Sequence, residues 1–493
     1  MIGRADKIGT SPAEQGQAAP VEKPTLLGRV SRLFKRAARD EVIVPTPAPI
    51  TLSTNVRLAW QDQPFMLKLG NAELEFHPDL DINGDAPGGV REWIIYPSGV
   101  VAAGAPKFIR ISAQETVVLG RHCDLQSQFF GYDRSVAQRH AKVANRKGDL
   151  KILPMDLDRS IQLSAIEPPT NRWATRRECL LHLPKVIGRP FAPFDDDEAL
   201  DAIREVNKIV ATEVYRDLDD EGNPGGVIRI PNKMPAVIMG DVHARVDNVL
   251  RVLTEDGVLA ALEQSKLCLV FLGDLVHSEA DGELEDMDSS ILVMDLFCML
   301  KQRFPKSVFY IHGNHESFSA DIGKGGVPQA LLFRRHLKKR RGKAYLAEVE
   351  TLFDQLAYVI HGNRFAACHA APVRSKVDRQ TLVNIRRYPG LQYELTWNRL
   401  RQSNRPAGYG KGSVKRFRQT LDLPRHATLV VAHNPQSADG TLWLNVGDIE
   451  GHHIVYSART NRIALMVMSG GEAWPLELVP DPAYALLNPS DDT

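Results

Sequence analysis

Five times in the second half of the chain, an apolar run with the length of a buried strand stops at a residue able to bind a metal. "AVIM" runs into Gly240-Asp241-Val242-His243, "LCLVFL" into Gly273-Asp274, and "VFYI" into His312-Gly313-Asn314-His315-Glu316. "RFAAC" leads to His369 and "TLVVA" to His433-Asn434. Continuous apolar runs of this kind suit strands covered on both faces, and the carboxyl ends of such strands are where open α/β sheets present ligand-binding groups. Loops leaving those ends can converge on one crevice.

Upstream the pattern differs. From about Leu58 to Ile166 short β-type runs such as "FMLKLG", "EWIIY", "TVVLG" and "LKILP" alternate with Gly, Asp, Asn and Pro turns, which predicts an all-β sandwich. A connector rich in Pro and Arg comes next. The stretch "DDDEALDAIREVNKIVATEVYRDL" then places Leu200, Ile203, Val206 and Ile209 at helical spacing behind an acidic start suited to a helix N-terminus. After "GNPGG" strands and helices alternate almost to the end, the pattern of an α/β or α+β domain.

The first fifty residues, rich in Ala, Pro, Gly and Lys, hold too little apolar surface to order themselves and read as a disordered tail. Within it, residues 24–40 set Leu26, Leu27, Val30, Leu33 and Phe34 on one helical face among Arg29, Arg32, Lys35 and Arg36. Such a helix is either a solvated linker or a contact for an anionic membrane or a partner.

A length of 493 residues calls for two domains plus extensions. The 61 basic and 60 acidic residues balance, so no bulk electrostatic footprint for nucleic acid is present and none is expected as a partner. The five cysteines are odd in number and scattered, against both a disulfide framework and a zinc-thiolate site. No apolar run approaches the roughly 18 to 20 residues of a membrane span, and the N-terminus lacks a secretory layout. The cytoplasm is the expected location.

Oxygen and imidazole donors without thiolate suit divalent ions such as manganese, iron or zinc, and two such ions can drive an in-line displacement at phosphorus. Gly-Asp-x-His, Gly-Asp, Gly-Asn-His-Glu and two later histidines, in that order, resemble the calcineurin-like metallophosphoesterases, most closely the phosphoprotein phosphatase family and its bacterial members. The resemblance runs from about Asp195 to Pro475 and includes "LTWNRLR" and "HHIVYSART". It implies one metal on Asp241, His243 and Asp274, and a second on Asp274, Asn314, His369 and His433, with Asp274 bridging. It further implies catalytic roles for Asp274 and for His315, the latter as general acid, and a supporting role for Glu316. Manganese is the first choice of metal, with iron or zinc as alternatives.

The family's Gly-Asp-x-x-Asp-Arg-Gly becomes Gly273-Asp274-Leu275-Val276-His277-Ser278-Glu279 here. His277 stands where a carboxylate would raise the pKa of the general acid, and Ser278 where an arginine would clamp phosphate. Arg405 and Arg374 are the candidate substrate-binding replacements. The run Phe333 to Lys343, "FRRHLKKRRGK", is either a solvated helix face or a border of the site that recruits acidic substrate.

In the β region, Gly120-Arg121 and His140-Ala141 resemble positions of a forkhead-associated domain, a β-sandwich that in its active form binds phosphothreonine. The family's Ser-Arg-x-His becomes Ala137-Gln138-Arg139-His140, and its Asn-Gly-Thr becomes Ile161-Gln162-Leu163. The resemblance leaves Arg121 as a candidate phosphopeptide contact, with Arg139 or Arg134 as substitutes, in a fold used for protein contact.

The combined expectation is an α/β (α+β) metallophosphoesterase β-sandwich flanked by helices, behind a smaller all-β sandwich and a disordered tail. Its segments are a tail at 1–53, a forkhead-associated-like sandwich at 54–168, a linker at 169–194, the catalytic domain at 195–480 and a C-terminal tail at 481–493. The function implied is a di-metal phosphoester hydrolase resembling serine/threonine phosphoprotein phosphatases, targeted to a partner or phosphoprotein by its N-terminal domain. Hydrolysis of a small phosphoester, nucleotide or dinucleoside polyphosphate is one alternative, and a catalytically weak phospho-signalling scaffold is another.

Overall fold

The alternating runs of the first half form antiparallel strands in this computed structural model, which describes residues 41–98, 105–122, 130–167, 171–404 and 406–489. The basic helix expected at 24–40 lies outside the described residues. The chain divides into two units, Met1–Glu41 and Val42–Thr493, the second of which carries both the N-terminal β region and the α/β half.

Phe65–Leu69 shows why these segments pair: Phe65, Leu67 and Leu69 are buried while Met66 and Lys68 are half-buried, the two-residue period of a pleated strand with one covered face. A six-stranded sheet runs Ile50–Thr51, Ile161–Ala165, Phe65–Leu69, Ala72–Pro78, Trp93–Pro97 and Ile109–Ile111. A second sheet takes Val56–Leu58, Asp149–Pro154, Ala141–Arg146 and Thr116–Leu119 in that order.

Helix Arg172–Ile187 occupies the stretch expected as a connector. Helix Asp196–Ala211 begins where the acidic run predicts, and Asp195 and Glu198 cap each other's backbone in a reciprocal box. Its buried stripe is Ala199, Ala202, Ile203, Val206 and Val210, so Leu200 and Ile209 fall on its edges. A spacing of three drifts off a face that repeats every 3.6 residues.

The second half is a β-sandwich. One five-stranded sheet runs Val308–Tyr310, Cys268–Phe271, Ala236–Met239, Ile463–Ser469 and Glu472–Leu478, and its first three strands are parallel. The other, seven-stranded, runs Arg216–Leu218, Pro224–Arg229, Val359–His361, Phe365–Cys368, Thr428–Val431, His452–Val455 and Leu442–Trp443. Alternate residues divide the work: Ile238, Val270, Ala367 and Val430 fill the core between the sheets, while Val237, Leu269 and Phe271 face the helices. That is the sandwich flanked by helices that the family resemblance implies.

The helix-facing core of the five-stranded sheet is continuous with the core of the N-terminal β region, where Trp474 and Leu476 join Phe108 and Ile109. Trp474 Nε1 donates to the Phe108 carbonyl at 3.1 Å. A buried ionic network lies beside this contact. Asp481, the first residue of the stretch expected as a tail, is buried and accepts from the Ile82 amide at 3.0 Å. It also pairs with Arg176 at 3.3 Å and Arg251 at 3.4 Å. Arg251 reaches Glu255 at 2.6 Å, and the Tyr96 hydroxyl donates to Glu255 at 3.3 Å. Beyond Asp481 the chain forms the short helix Ala483–Leu487.

Burial would raise the Glu255 carboxyl, but the charges of Arg251 and Arg176 outweigh it and hold its pKa down to about 2. Glu255→Gln leaves the buried Arg251 guanidinium with Asp481, at 3.4 Å, but without its nearer carboxylate, and is expected to cost about 3 kcal/mol in chemical denaturation at neutral pH. With a folded pKa of about 2 against the ordinary 4.5, the native carboxylate's contribution is complete above pH 4.5. It is lost as the pH falls toward 2, and the glutamine variant should lack that part of the acid dependence.

Candidate active site

The carboxyl ends of strands from both sheets meet at one point. Ala236–Met239 delivers Asp241 and His243, Cys268–Phe271 delivers Asp274, and Val308–Tyr310 delivers Asn314 and His315. From the other sheet, Phe365–Cys368 ends at His369 and Thr428–Val431 at His433. The motif glycines permit the approach. A Cβ on Gly273 would lie 2.6 Å from the Gly313 backbone, and one on Gly313 would lie 2.4 Å from Asp274 Oδ1.

All six residues expected to bind metal converge here. Donor atoms of Asp241, His243 and Asp274 lie within 4.8 Å of one another, as do those of Asp274, His369 and His433. Asp274 belongs to both groups, the arrangement a bridging ligand requires. Asn314 Oδ1 stands 3.0 Å from His369 Nε2, and Asp274 Oδ2 stands 3.4 Å from the same nitrogen.

Hydrogen bonds to one imidazole nitrogen set which nitrogen remains for a ligand. His369 Nδ1 is 2.7 Å from the Leu272 carbonyl and His243 Nδ1 is 3.0 Å from the His277 carbonyl, which leaves Nε2 of His243 toward Asp241 and Asp274 and Nε2 of His369 toward Asp274, with Asp241 Oδ1 3.7 Å from His369 Nδ1. The His433 amide donates to Asp241 Oδ1 at 3.0 Å, while its buried Nε2 has no hydrogen-bond partner among the described residues.

Electrostatics point the same way. Burial, together with the charge of Asp274, pushes the Asp241 carboxyl up against the pull of His369. Burial would lower the His369 pKa, but Asp274 and Asp241 hold it at about 9. Burial would raise Asp274 too, but the imidazoles of His369, His315 and His243 hold it well below the usual carboxylate range. An orphaned imidazole nitrogen and converging lone pairs fit oxygen- and nitrogen-liganded divalent cations.

His277 and His315 meet through their Nδ1 atoms at 2.9 Å. Two neutral imidazoles in that geometry share one proton, and the His277 ring lies edge-on to Phe333 at 5.3 Å between centroids. Burial lowers the His315 pKa to about 4, with no carboxylate partner at His277 to lift it. Ser278 is buried and donates to Glu283 at 2.9 Å. Glu316 is also buried, and its carboxylate accepts from the amides of Asp274 at 2.8 Å, Leu275 at 3.1 Å and Gly313 at 2.7 Å.

Of the two arginine candidates, Arg374 is described. Arg374 pairs with Glu394 at 3.0 Å and donates to the Ala407 carbonyl at 2.6 Å. Arg405 lies outside the described residues. In the N-terminal sandwich, the Arg121 guanidinium donates to the Val136 carbonyl at 2.6 Å, His140 is buried, and Arg134 and Arg139 are exposed. Arg334, Arg335, Lys338, Lys339 and Arg340 of the basic run are exposed on helix Gln329–Arg340, whose buried side carries Phe333 and Leu337, while Arg341 turns inward to pair with Asp295 at 2.8 Å.

Two charged neighbours escaped the sequence reading. Arg399 places Nη1 3.4 Å from the His433 carbonyl, and only its place in "LTWNRLR" hinted at it. Glu279 brings Oε1 to 3.6 Å from His243 Nε2, and its Oε2 accepts from Tyr456 Oη at 2.8 Å and pairs with Lys324 at 2.9 Å.

Comparison with known proteins agrees with this geometry. Residues 234–464 match the family model of the calcineurin-like phosphoesterases. A curated relative, the serine/threonine-protein phosphatase PP2A-like PPG1 of Candida albicans, is 27% identical over 218 residues, which is 40% of this chain and 48% of that protein. The chain thus spans about half the length of the curated relative it matches. Among solved structures, a Saccharomyces cerevisiae serine/threonine phosphatase with similarity to human PP5 aligns at 17% identity and a TM-score of 0.46, covering 58% of this chain and 90% of that one. A putative diadenosine tetraphosphatase aligns at 18% identity and a TM-score of 0.30, covering 51% and 98%. The stretch that matches the calcineurin-like phosphoesterase model, residues 234–464, is thus the same stretch whose strand ends assemble the donors.

Proposed function

We propose that this chain hydrolyses phosphoserine or phosphothreonine in a protein substrate with two divalent cations, and that Asp241, His243, Asp274, Asn314, His369 and His433 hold them. The observation that carries this reading is the convergence of six donors, Asp274 common to both groups, with the buried His433 Nε2 left over. Manganese is the first choice, with iron or zinc as alternatives. Bound there, such cations would supply charge neutralisation at the phosphoryl oxygens and acidification of the attacking water.

The chain's own groups do the rest. Asp274 is steadied by the His315 amide, which donates to its Oδ1 at 2.8 Å, so ligand and proton donor are fixed to each other. His315 delivers a proton to the leaving oxygen, with His277 as its Nδ1 partner. Arg399, beside His433, takes over part of the phosphate clamp that Ser278 cannot provide.

A groove of 1190 Å³ borders the donors at Asn314 and is lined by Phe318, Tyr393 and Trp397 together with Asp321, Glu350 and Asp354. The arginine in its lining, Arg386, is spent on the Asp354, Pro224 and Leu356 carbonyls at 2.7, 2.7 and 2.9 Å. An aromatic and acidic wall favours a peptide with basic residues over a polyphosphate chain, which it would repel. This is why the phosphoprotein reading stands ahead of the dinucleoside polyphosphate one.

We assign the β region, residues 54–168, to docking on a protein partner, with Arg121 as the phosphopeptide contact. The working location is the cytoplasm, which the free thiols of the four described cysteines suit. Among the described residues no helix is long and apolar enough to cross a membrane.

With manganese present, phosphopeptides carrying flanking Lys or Arg are expected to be cleaved faster than dinucleoside polyphosphates, and Asp274→Asn to lose about a hundred-fold or more of that turnover. Equal rates for wild type and variant would leave only a phospho-signalling scaffold. His277→Asp restores a negative charge beside His315 and stabilises its imidazolium. The loss of the protonated acid should therefore move to higher pH, and kcat at neutral pH should rise on the order of ten-fold. A pH profile coincident with wild type would remove His315 from the acid role. For the β region, a phosphothreonine peptide should bind wild type measurably tighter than Arg121→Ala in calorimetry, and identical isotherms would end that assignment.

A further inference from the structure

We propose that His243, Glu279 and His315 form a further cation site at the mouth of the pocket, selective for a zinc-like ion and inhibitory when filled. This goes beyond the phosphatase reading but rests on it for the inhibition, since the donor set adds Glu279 to His243 and His315 of that reading. Ligand atoms of the three residues lie within 4.8 Å of one another. Two imidazoles and one carboxylate, with room for a further ligand, make a recognised zinc donor set.

The orientation of each donor is already fixed by other bonds. Glu279 Oε2 is held by Tyr456 at 2.8 Å and Lys324 at 2.9 Å, which turns Oε1 toward His243 Nε2 at 3.6 Å. That carboxylate is nearer to His243 Nε2 than Asp274 at 3.9 Å or Asp241 at 4.0 Å. His243 is buried with Nδ1 occupied by the His277 carbonyl, so only Nε2 is left to bind. His315 is buried with Nδ1 occupied by His277, so it too offers Nε2. When His315 donates from Nδ1 to His277, Nε2 carries a lone pair, and the same pair of rings that handles a proton can present a ligand.

Selectivity arises from donor chemistry. Two nitrogens and one oxygen favour zinc over manganese, whereas the neighbouring Asp241 and Asp274 group is richer in oxygen and suits harder ions. Inhibition arises from shared parts. His243 has one available nitrogen and cannot serve both groups, and a ligated His315 cannot give up a proton.

The test uses the full chain, as wild type, Glu279→Gln and Asp274→Asn, each checked for an unchanged thermal unfolding profile in chelator. Equilibrium dialysis against zinc, with manganese held in excess, should give wild type about one more zinc per chain than Glu279→Gln. In the same buffer the zinc concentration that halves each protein's own manganese-supported turnover should rise at least ten-fold in Glu279→Gln. Equal zinc uptake by wild type and Glu279→Gln, or an unmoved inhibition midpoint, overturns the site. Manganese uptake by Asp274→Asn reports separately on the catalytic metals, so a failure of that reading is visible apart from a failure of this one.

Discussion

Glu316 is the group on which the site's geometry depends. Its carboxylate is buried and accepts three backbone amides and the Tyr310 hydroxyl, the last at 2.6 Å. Two of those amides belong to Asp274 and Leu275, in the loop after Cys268–Phe271, and the third to Gly313, in the loop after Val308–Tyr310. A single side chain therefore clamps two neighbouring strand ends to each other. Only a carboxylate can accept at all these points, because an amide would turn one end into a donor facing N–H groups. Burial and the charge of Asp274 push the Glu316 pKa up to about 7 against the pull of the Tyr310 hydrogen bond.

The departures at positions 277 to 279 act together on that charge balance. Where the resembling family carries a carboxylate, an arginine and a glycine, this chain has an imidazole, a buried hydroxyl bonded to Glu283, and a carboxylate aimed at His243. Negative charge moves from behind the proton donor to the rim in front of it. Lys324, exposed enough to meet solvent and paired with Glu279, returns one positive charge to the rim. The rim of this pocket is therefore an ion pair rather than a lone cation.

What was legible in the sequence was what repeats. Strands covered on both faces announce themselves as apolar runs, and a donor at the end of each is visible because the run stops there. The acidic cap of helix Asp196–Ala211 is a local signal of the same kind. Glu279 was not legible, since its role depends on Lys324 and Tyr456, which lie 45 and 177 residues further along. Arg251, Glu255 and Asp481 likewise carry no local signal of burial. They are buried only because the N-terminal sandwich and the phosphoesterase sandwich share one apolar core, a tertiary fact that no periodicity encodes.

Backbone conformation explains why donors of such different sequence neighbourhoods can be held so near one another before any cation arrives. His243, Asp274, His277 and His433 all have positive φ, at 47°, 49°, 68° and 58°. Each such residue costs roughly 1–3 kcal/mol and persists only where its surroundings over-determine it. The surroundings here are specific: the Val242 and His243 amides donate to the Asp274 carbonyl at 3.0 and 2.8 Å. The side chain of Asn434 bridges the Ala370 and Asn398 carbonyls at 2.9 and 3.2 Å. Relaxing any one turn would break bonds that tie it to a second strand end, so the strained turns hold one another. The donors are in consequence placed by the sandwich, and the strain is stored where three of the six proposed ligands leave their strands.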